Sequence, residues 1–288
     1  MWTTEQLPAL PDEVETGRYT GALGSTLHYH DIGSGDPILF LHSWGVGTTA
    51  WITWHKVLPA LAEQFRCIAL DLPNFTKSGP FDASDTIHTL QRKAAVALLD
   101  ELGIDRAHIV ANSQGAQSAL GIAARSPERI DRLVVGGFHL SVRGPQYSIS
   151  PRDEEGVRLG MAAEADPTPA TVRAYLLSHL ADPGLVTDDL ITYLLAHHTA
   201  RPDIAAARAT MRYGGGYDYT DELMAFDRPA LLLWGRDDRT CHAEIGLRAL
   251  NLLPRSRLTV LRDTGHWPPY ERPAEYLDHV RTFLTADW

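Results

Sequence analysis

The stretch HIVANSQGAQSAL, residues 108–120, contains the point that decides the fold. It begins as a β-prone hydrophobic run and continues as an alanine-rich segment typical of a helix. Ser113 lies where the two meet, with the small residues Ala111 and Gly115 two positions to either side. A tight turn from strand to helix is crowded enough to need small flanking residues, and it projects the serine hydroxyl above the sheet. We therefore interpret Ser113 as a nucleophile and not only as a helix N-cap, the usual role of an isolated serine.

Apolar strand-like runs alternate with helical patterns on both sides of this turn. PILFLH (37–42) and RCIALDL (66–72) come before it, and IDRLVVGG (130–137) follows. Continuous apolar runs indicate strands buried on both faces, and their alternation with helices predicts a mostly parallel sheet. Residues 18–37 are expected to form two short strands joined by a turn, and residues 49–65 have helical spacing.

The alternation stops near Phe138 and resumes at PALLLWG (229–235). The residues between contain only helical patterns broken by prolines. The sequence therefore predicts an α/β core domain, formed by residues 1–138 and 227–288, that is interrupted by a helical cap, or lid, at 139–226. The C-terminal helix returns to the core, so the inserted segment is a cap and not a tail domain.

Composition excludes several classes of partner. The chain has 288 residues and a formal charge of −10, with a pI near 5.7, which argues against nucleic acids and anionic membranes. No apolar run reaches the roughly 18 residues that a membrane span needs. The first residues do not resemble a secretory signal, and we expect a cytoplasmic protein. Cys67 and Cys241 lie in or beside apolar runs, which favours buried free thiols over a disulfide.

A serine hydroxyl is a weak nucleophile without a histidine base and an acid that orients the histidine. WGRDDR contributes Asp237 and Asp238 at one strand end, and LTVLRDTGHWPP contributes Asp263 and His266 at the next. The chain order serine, aspartate, histidine is that of the α/β-hydrolase fold. We assign His266 as the base and Asp238 as the orienting acid, because Asp238 lies inside the loop, three residues after a glycine. Asp263 is the weaker rival.

Two backbone N–H groups are expected to form an oxyanion hole. The first belongs to Gln114, at the start of the helix after Ser113, where the helix dipole adds to the effect. The second follows the first buried parallel strand, where LHSWGVG begins its turn at His42 and the N–H of Trp44 is the expected donor.

Two other interpretations compete with this one. GVGTTA (45–50) with Asp71 imitates a dinucleotide-binding fingerprint, which would make the chain a nicotinamide-dependent oxidoreductase; however, the final glycine is replaced by alanine and the triad would have no role. His28 and His30 share one face of a strand, but no third ligand has a defined spacing, so no metal site is predicted. We expect the protein to need no cofactor.

The motifs together resemble the α/β-hydrolase superfamily and, within it, the meta-cleavage-product hydrolases, which cleave carbon–carbon bonds in 2-hydroxy-6-oxo-dienoates. The resemblance covers about residues 25–138 and 227–285, and the cap more loosely. The resemblance rests on the motifs LHSWGVG, DLPNFTKSG, LGIDRAHIVANSQG, WGRDDR and GHW. The resemblance implies Ser113 as nucleophile, His266 as general base and acid, and Asp238 as its partner. It also implies Asn112 and Trp267 as substrate-binding residues of the pocket.

The sequence departs from that family at other positions expected to bind substrate. Ser43 and Trp44 add bulk to an oxyanion loop that is glycine-rich in the family. Leu194 stands where the family's cap helix has an arginine that binds the substrate carboxylate. Arg201, Arg208 or Arg212 could replace it, although nothing in the sequence shows which, if any, does so.

The sequence therefore predicts a serine hydrolase acting on a medium-sized, partly apolar carbonyl compound. Carbon–carbon hydrolysis of a diketone or a 2-hydroxy-6-oxo-dienoate-like compound is the first expectation, and a carboxylesterase or lactonase is the alternative on the same triad. From other classes, a hydrolase-fold ligand receptor and a non-hydrolytic lyase stay open. The expected partner is a small-molecule substrate, and a homodimer is possible.

Overall fold

A computed structural model describes residues 10, 13–82, 84–140, 142, 154–212 and 218–288. Its strands form one sheet of eight. They are β1 (Gly17–Ala22), β2 (Ser25–Gly33), β3 (Asp36–Leu41), β4 (Phe65–Leu70), β5 (Ala107–Asn112), β6 (Ile130–Gly136), β7 (Ala230–Gly235) and β8 (Ser256–Leu261).

The strand order in this sheet is β1-β2-β4-β3-β5-β6-β7-β8. β1 pairs with β2 and β2 with β4 in antiparallel fashion, whereas every other neighbouring pair is parallel. The predicted fold class, a mostly parallel sheet with flanking helices, is therefore confirmed. Because the strands β3 to β8 all run the same way, the loops after their carboxyl ends meet at one edge of the sheet.

Thirteen α-helices lie in the described ranges. They are α1 (Glu13–Thr16), α2 (Ala50–Trp54), α3 (Leu58–Ala62), α4 (Ile87–Glu101), α5 (Gln114–Arg125), α6 (Glu155–Ala165), α7 (Pro169–His179), α8 (Asp188–Thr199), α9 (Pro202–Ala209), α10 (Thr220–Met224), α11 (Glu244–Leu252), α12 (Pro268–Glu271) and α13 (Pro273–Thr285). Within those ranges, no helix is both long and apolar enough to cross a membrane.

Two separate apolar clusters cover the two faces of the sheet. Alternation along β5 shows how they arise, because Ile109 and Ala111 belong to one cluster and Val110 to the other. Helices α4, α5 and α11 contribute to the first cluster, and α2, α3 and α13 to the second. All six residues of β5 are buried, as expected for a strand covered on both faces.

The expected single helix at 49–65 is two short helices in the structure. Thr49 caps α2, since its hydroxyl accepts a hydrogen bond from the N–H of Ile52 at 3.0 Å. Pro59 lies in the first turn of α3. A proline has no N–H and its ring clashes with a preceding helical turn, so the chain begins a new helix there.

Helices α6 to α10 lie in the chain between β6 and β7, within the predicted cap 139–226, of which 141, 143–153 and 213–217 lie outside the described residues. We call residues 154–212 and 218–226 the helical insertion. A third apolar cluster joins it to the loop after β3, through Val46 and Leu194 among others. Gly47 permits this contact, because a Cβ there would lie 1.8 Å from the carbonyl oxygen of Leu194.

Candidate active site

Ser113 lies between β5 and α5 with the unusual backbone angles φ 55° and ψ −120°. Two hydrogen bonds hold the turn: Ser113 N–H donates to Gly136 O at 2.8 Å, and Gly115 N–H donates to His42 O at 3.0 Å. A Cβ on Gly115 would lie 2.3 Å from Leu41 O, so glycine is required at that position. The left-handed conformation of a serine costs about 1–3 kcal/mol and is typical of functional turns.

Ser113, His266 and Asp238 form one hydrogen-bonded chain. The Nε2 atom of His266 lies 2.9 Å from Ser113 Oγ, and its Nδ1 atom lies 2.8 Å from Asp238 Oδ2. Asp238 and His266 are buried, and Ser113 is partly accessible. A carboxylate only accepts, so Nδ1 carries the proton and Nε2 is left to accept the serine proton.

The structure separates Asp238 from the other candidate acids. Its second oxygen, Oδ1, accepts hydrogen bonds from the N–H groups of Thr240 at 2.8 Å and Cys241 at 2.9 Å. These bonds stabilise the ionised carboxylate and fix its plane. Asp237 and Asp263 instead pair with Arg236, at 3.2 and 3.3 Å, on the surface.

The predicted oxyanion loop is held in place by His42. Its Nε2 accepts from Leu72 N–H at 2.9 Å, so its Nδ1 donates to Ser43 O at 2.7 Å. Burial lowers the pKa of His42, which keeps the ring neutral with this division of roles. Binding the carbonyl of Ser43 fixes the peptide whose N–H belongs to Trp44. Within the described part of the chain, the N–H groups of Trp44 and Gln114 have no backbone or side-chain acceptor.

Three residues expected to bind substrate are hydrogen-bonded within the site. The indole Nε1 of Trp267 donates to Ser43 Oγ at 2.8 Å, and both side chains are fully buried. Asn112 Nδ2 donates to His266 O at 3.1 Å. In this structure their side chains therefore tie the predicted oxyanion loop and the turn at Ser113 to the loop that carries His266. Contact with substrate stays a prediction for all three.

Leu194 lies in the apolar cluster of the helical insertion, with none of its surface exposed. Among the arginines considered as replacements, Arg208 is buried and already paired, with its guanidinium 2.8 Å from both Glu164 Oε2 and His198 Nδ1. The guanidinium also lies over the ring of Phe75, 5.1 Å from the centroid.

The other two arginines are engaged elsewhere. Arg201 pairs with the exposed carboxylate of Asp203, and Arg212 donates to Ser84 O at 2.8 Å.

Sequence reasoning missed two groups that hold the loop of His266. The carboxylate of Glu271 accepts from the N–H groups of Gly265 at 3.0 Å, Trp267 at 3.2 Å and Ala181 at 2.7 Å. Burial raises the pKa of this carboxyl. The second group is His179, whose carbonyl oxygen accepts from His266 N–H at 2.6 Å. No sequence motif identifies Glu271 or His179, because only folding brings them next to the groups that they bind.

Comparison with known proteins places the chain in a family. Residues 38–279 match the model of the alpha/beta hydrolase family. Two relatives carry the name 2-hydroxy-6-oxononadienedioate/2-hydroxy-6-oxononatrienedioate hydrolase. The one from Burkholderia vietnamiensis is 32% identical over 94% of this chain and 96% of its own. The one from Dechloromonas aromatica, numbered 1, is 30% identical over 92% of each chain.

Solved structures of similar proteins share the fold of this chain. A meta-cleavage product hydrolase from Pseudomonas fluorescens IP01, crystallised as a serine-to-alanine mutant with acetates, superposes with a TM-score of 0.82 at 25% identity, covering 94% of this chain and 98% of the other. An esterase from Rhodococcus sp. ECU1013 shares the fold, with a TM-score of 0.76 at 23% identity over 94% and 99% of the two chains. This chain therefore belongs to the α/β-hydrolase family, and it is a hydrolase that resembles the meta-cleavage-product hydrolases.

Proposed function

We propose that this protein hydrolyses a carbon–carbon bond next to a ketone, in a diketone or 2-hydroxy-6-oxo-dienoate-like compound, with Ser113 as nucleophile. The observation that carries the proposal is the hydrogen-bonded chain from Ser113 Oγ through His266 to Asp238. The names of the relatives, which are hydrolases of such dienoates and dienedioates, support the substrate class.

In the proposed reaction, His266 Nε2 takes the proton of Ser113 as Oγ attacks the ketone carbon. The N–H groups of Gln114 and Trp44 stabilise the resulting oxyanion, which in related sites contributes about 10²–10³ in rate per donor. Collapse breaks the carbon–carbon bond of the keto tautomer, in which the second carbonyl stabilises the carbanion that leaves, and His266 returns its proton to that carbanion. Water, deprotonated by His266, then attacks the acyl carbon, and His266 returns that proton to Ser113 Oγ as the carboxylic acid is released.

Carboxylester or lactone hydrolysis is the second candidate. It is favoured by two observations: the apolar side chain of Leu194 is fully buried, and Arg208, one of the arginines that could replace a carboxylate-binding arginine there, is already paired with Glu164. A carboxylate-bearing dienoate would need a cation to balance its charge. A neutral ester would need none, and it would use the same nucleophile and the same oxyanion donors.

We further propose that residues 1–138 and 227–288 act as the core domain and 139–226 as a cap over the site. Contacts in the described insertion support this division. Tyr175 donates from its hydroxyl to Trp44 O at 3.1 Å, and His179 O receives the N–H of His266. Both contacts join the insertion to loops of the proposed catalytic machinery, where a cap would exclude water from the reaction.

The decisive experiment compares the wild-type protein with Ser113→Ala on two substrate types. The first is 2-hydroxy-6-oxo-6-phenylhexa-2,4-dienoate, followed by loss of its colour, and the second is a series of p-nitrophenyl esters of increasing chain length. The proposal expects dienoate turnover by the wild type and a loss of about 10³-fold or more in Ser113→Ala.

The other outcomes discriminate between the candidates. Ester turnover without dienoate turnover would replace the first candidate with the second. Equal rates for wild type and Ser113→Ala on both substrates would overturn a nucleophilic role for Ser113. Activity that survives Ser113→Ala but not His266→Ala would instead indicate a lyase that needs proton transfer alone.

A further inference from the structure

His179 is the last residue of helix α7, and its side chain is fully buried beside His266. The two imidazole centroids are 4.8 Å apart and the ring planes are nearly perpendicular, at 83°. His179 also packs against Tyr175, with ring centroids 4.0 Å apart. The insertion therefore contributes one wall of the space that His266 occupies.

The backbone of His266 is held from two directions. Its N–H donates to His179 O at 2.6 Å, and its own carbonyl accepts from Asn112 Nδ2 at 3.1 Å. Gly265 makes the first contact possible, since a Cβ there would lie 2.2 Å from His179 O. Residue 266 is thus clamped between the insertion and the nucleophile turn.

The hydrogen bonds of the His179 ring fix its tautomer. Ser178 Oγ donates to Tyr175 O at 2.6 Å, so at 3.3 Å it accepts from His179 Nδ1–H. His179 Nε2 then accepts from the hydroxyl of Thr240, at 3.4 Å. Burial, and next the charge of His266, hold the pKa of His179 well below its usual range, so the ring stays neutral.

Thr240 links this ring to the acid of the triad. Its backbone N–H donates to Asp238 Oδ1 at 2.8 Å while its hydroxyl faces His179 Nε2. Asp238 and Ser113 hold the two nitrogens of His266, and His179 packs across the ring. Both ring nitrogens of the proposed base thus have partners, and His179 packs against its ring.

We propose that His179 is a positioning residue, which keeps the imidazole of His266 in line between Asp238 and Ser113 and makes that alignment depend on the docking of the insertion. This inference rests on the proposed function, in which His266 is the base for Ser113. A neutral, hydrogen-bonded ring suits the role, because it supports a histidine that becomes cationic during the reaction without adding a second positive charge.

The test uses His179→Ala, which removes the ring wall but keeps the carbonyl, and His179→Phe, which restores a ring of similar size. Active serine is titrated with a fluorophosphonate probe, and kcat is expressed per labelled Ser113. We expect His179→Ala to lower kcat about 10- to 100-fold, the effect of a small misalignment, with KM nearly unchanged. We expect His179→Phe to recover only part of the loss, because it restores the ring but not the hydrogen bonds of the ring to Ser178 and Thr240.

A spectroscopic readout separates positioning from stability. In NMR spectra, the downfield signal of the proton between His266 Nδ1 and Asp238 should broaden in His179→Ala. It should become sharper again in His179→Phe. His197→Ala is the matched control, since His197 is a buried histidine of the insertion that stacks on Tyr193 instead. It should lower stability and leave kcat per labelled serine unchanged.

The possible results distinguish a positioning role of His179 from a purely structural one. If His179→Ala lowers only stability and keeps kcat per labelled serine within twofold, the positioning role is overturned. If His179→Ala does not fold, Thr240→Val provides the second test, because it removes the hydroxyl facing Nε2 and keeps the backbone bond to Asp238; unchanged kcat there would overturn the role as well. Failure of the probe to label Ser113 in the wild type would instead overturn the proposed function.

Discussion

Asp237, Asp238 and Asp263 follow two neighbouring strand ends, and hydrogen bonding distinguishes them. Only Asp238 is buried, with one oxygen on His266 and the other on two backbone N–H groups. The other two face solvent beside Arg236, where ion pairs contribute little. The sequence favoured Asp238 over Asp237 and Asp263 because of its position within the loop, and its burial gives the physical reason for that assignment.

Replacing Asp238 by asparagine should lower kcat about 10⁴-fold, because an amide no longer selects the Nδ1–H tautomer of His266. Asp237→Asn is the matched control and should stay within a factor of two. Steady-state rates on whichever substrate is turned over provide the measurement. A large loss in Asp237→Asn with a small one in Asp238→Asn would reverse the assignment.

Gly137 illustrates how a backbone position protects the proposed base. It has φ +61°, and a Cβ there would lie 3.2 Å from Cε1 of His266. Gly103 has nearly the same φ, +65°, with nothing within 4 Å of its would-be Cβ. Alanine at either position should cost about 1 kcal/mol of unfolding free energy through backbone strain. Only Gly137→Ala should also lower kcat; urea unfolding and steady-state assays on both variants test this, and equal kcat in the two would contradict it.

At the scale of elements, the loop between β8 and α12 is organised by one carboxylate. Glu271 lies at the end of α12 and accepts N–H groups from both sides of His266 and from Ala181 in the insertion. Residues on either side of His266 therefore depend on an acceptor that comes later in the chain.

Glu271→Gln should destabilise the protein by about 1–3 kcal/mol and lower kcat, because an NH2 group replaces one of the acceptor oxygens and leaves a backbone N–H unpaired. Glu275→Gln, on the exposed side of α13, should change neither. Urea unfolding and kcat, measured in parallel, check the pair. Unchanged kcat in Glu271→Gln would show that the loop keeps its shape without this acceptor.

At the scale of the whole molecule, the N-terminal segment, the core and the insertion meet at a buried carboxylate. Glu13 accepts from Lys77 Nζ at 3.1 Å and from the hydroxyl of Tyr193 in α8 at 3.0 Å. Tyr193 also lies 3.0 Å from Thr49 Oγ1, the N-cap of α2. Burial raises the pKa of Glu13, but the nearby imidazole of His197, whose Nε2 lies 3.7 Å from Glu13 Oε1, and the charge of Lys77 outweigh it and hold the pKa at about 2.

A folded-state pKa below the unfolded value of 4.5 means that Glu13 stabilises the fold above about pH 4.5 and that this contribution disappears as the pH falls towards about 2. The difference corresponds to about 3 kcal/mol at neutral pH. In urea unfolding between pH 7 and pH 3, Glu13→Gln should show less stability at pH 7 and a shallower loss on acidification. Glu15→Gln, an exposed neighbour, should follow the wild type. If the unfolding free energies of Glu13→Gln and wild type changed in parallel with pH, the lowered pKa of Glu13 would be contradicted.

The sequence by itself determined the alternation of strands and helices, the turn at Ser113 and the chain order of serine, aspartate and histidine. These follow from local rules, since a buried strand requires an apolar run and a strained turn requires small neighbours. It placed the start of α5 at Gln114, yet it merged α2 and α3, because the helical spacing of apolar residues continues past Pro59 and hides the break there.

Only the tertiary structure decided which residues surround His266. It also decided that Leu194 is buried and which carboxylate pairs with Arg208. His179 and Glu271 reach His266 from an inserted helix and from a later turn, and neither is marked by periodicity or spacing. Contacts between segments so far apart depend on how the insertion packs on the sheet. That packing is a sum of many small apolar contacts with no signature at any single position.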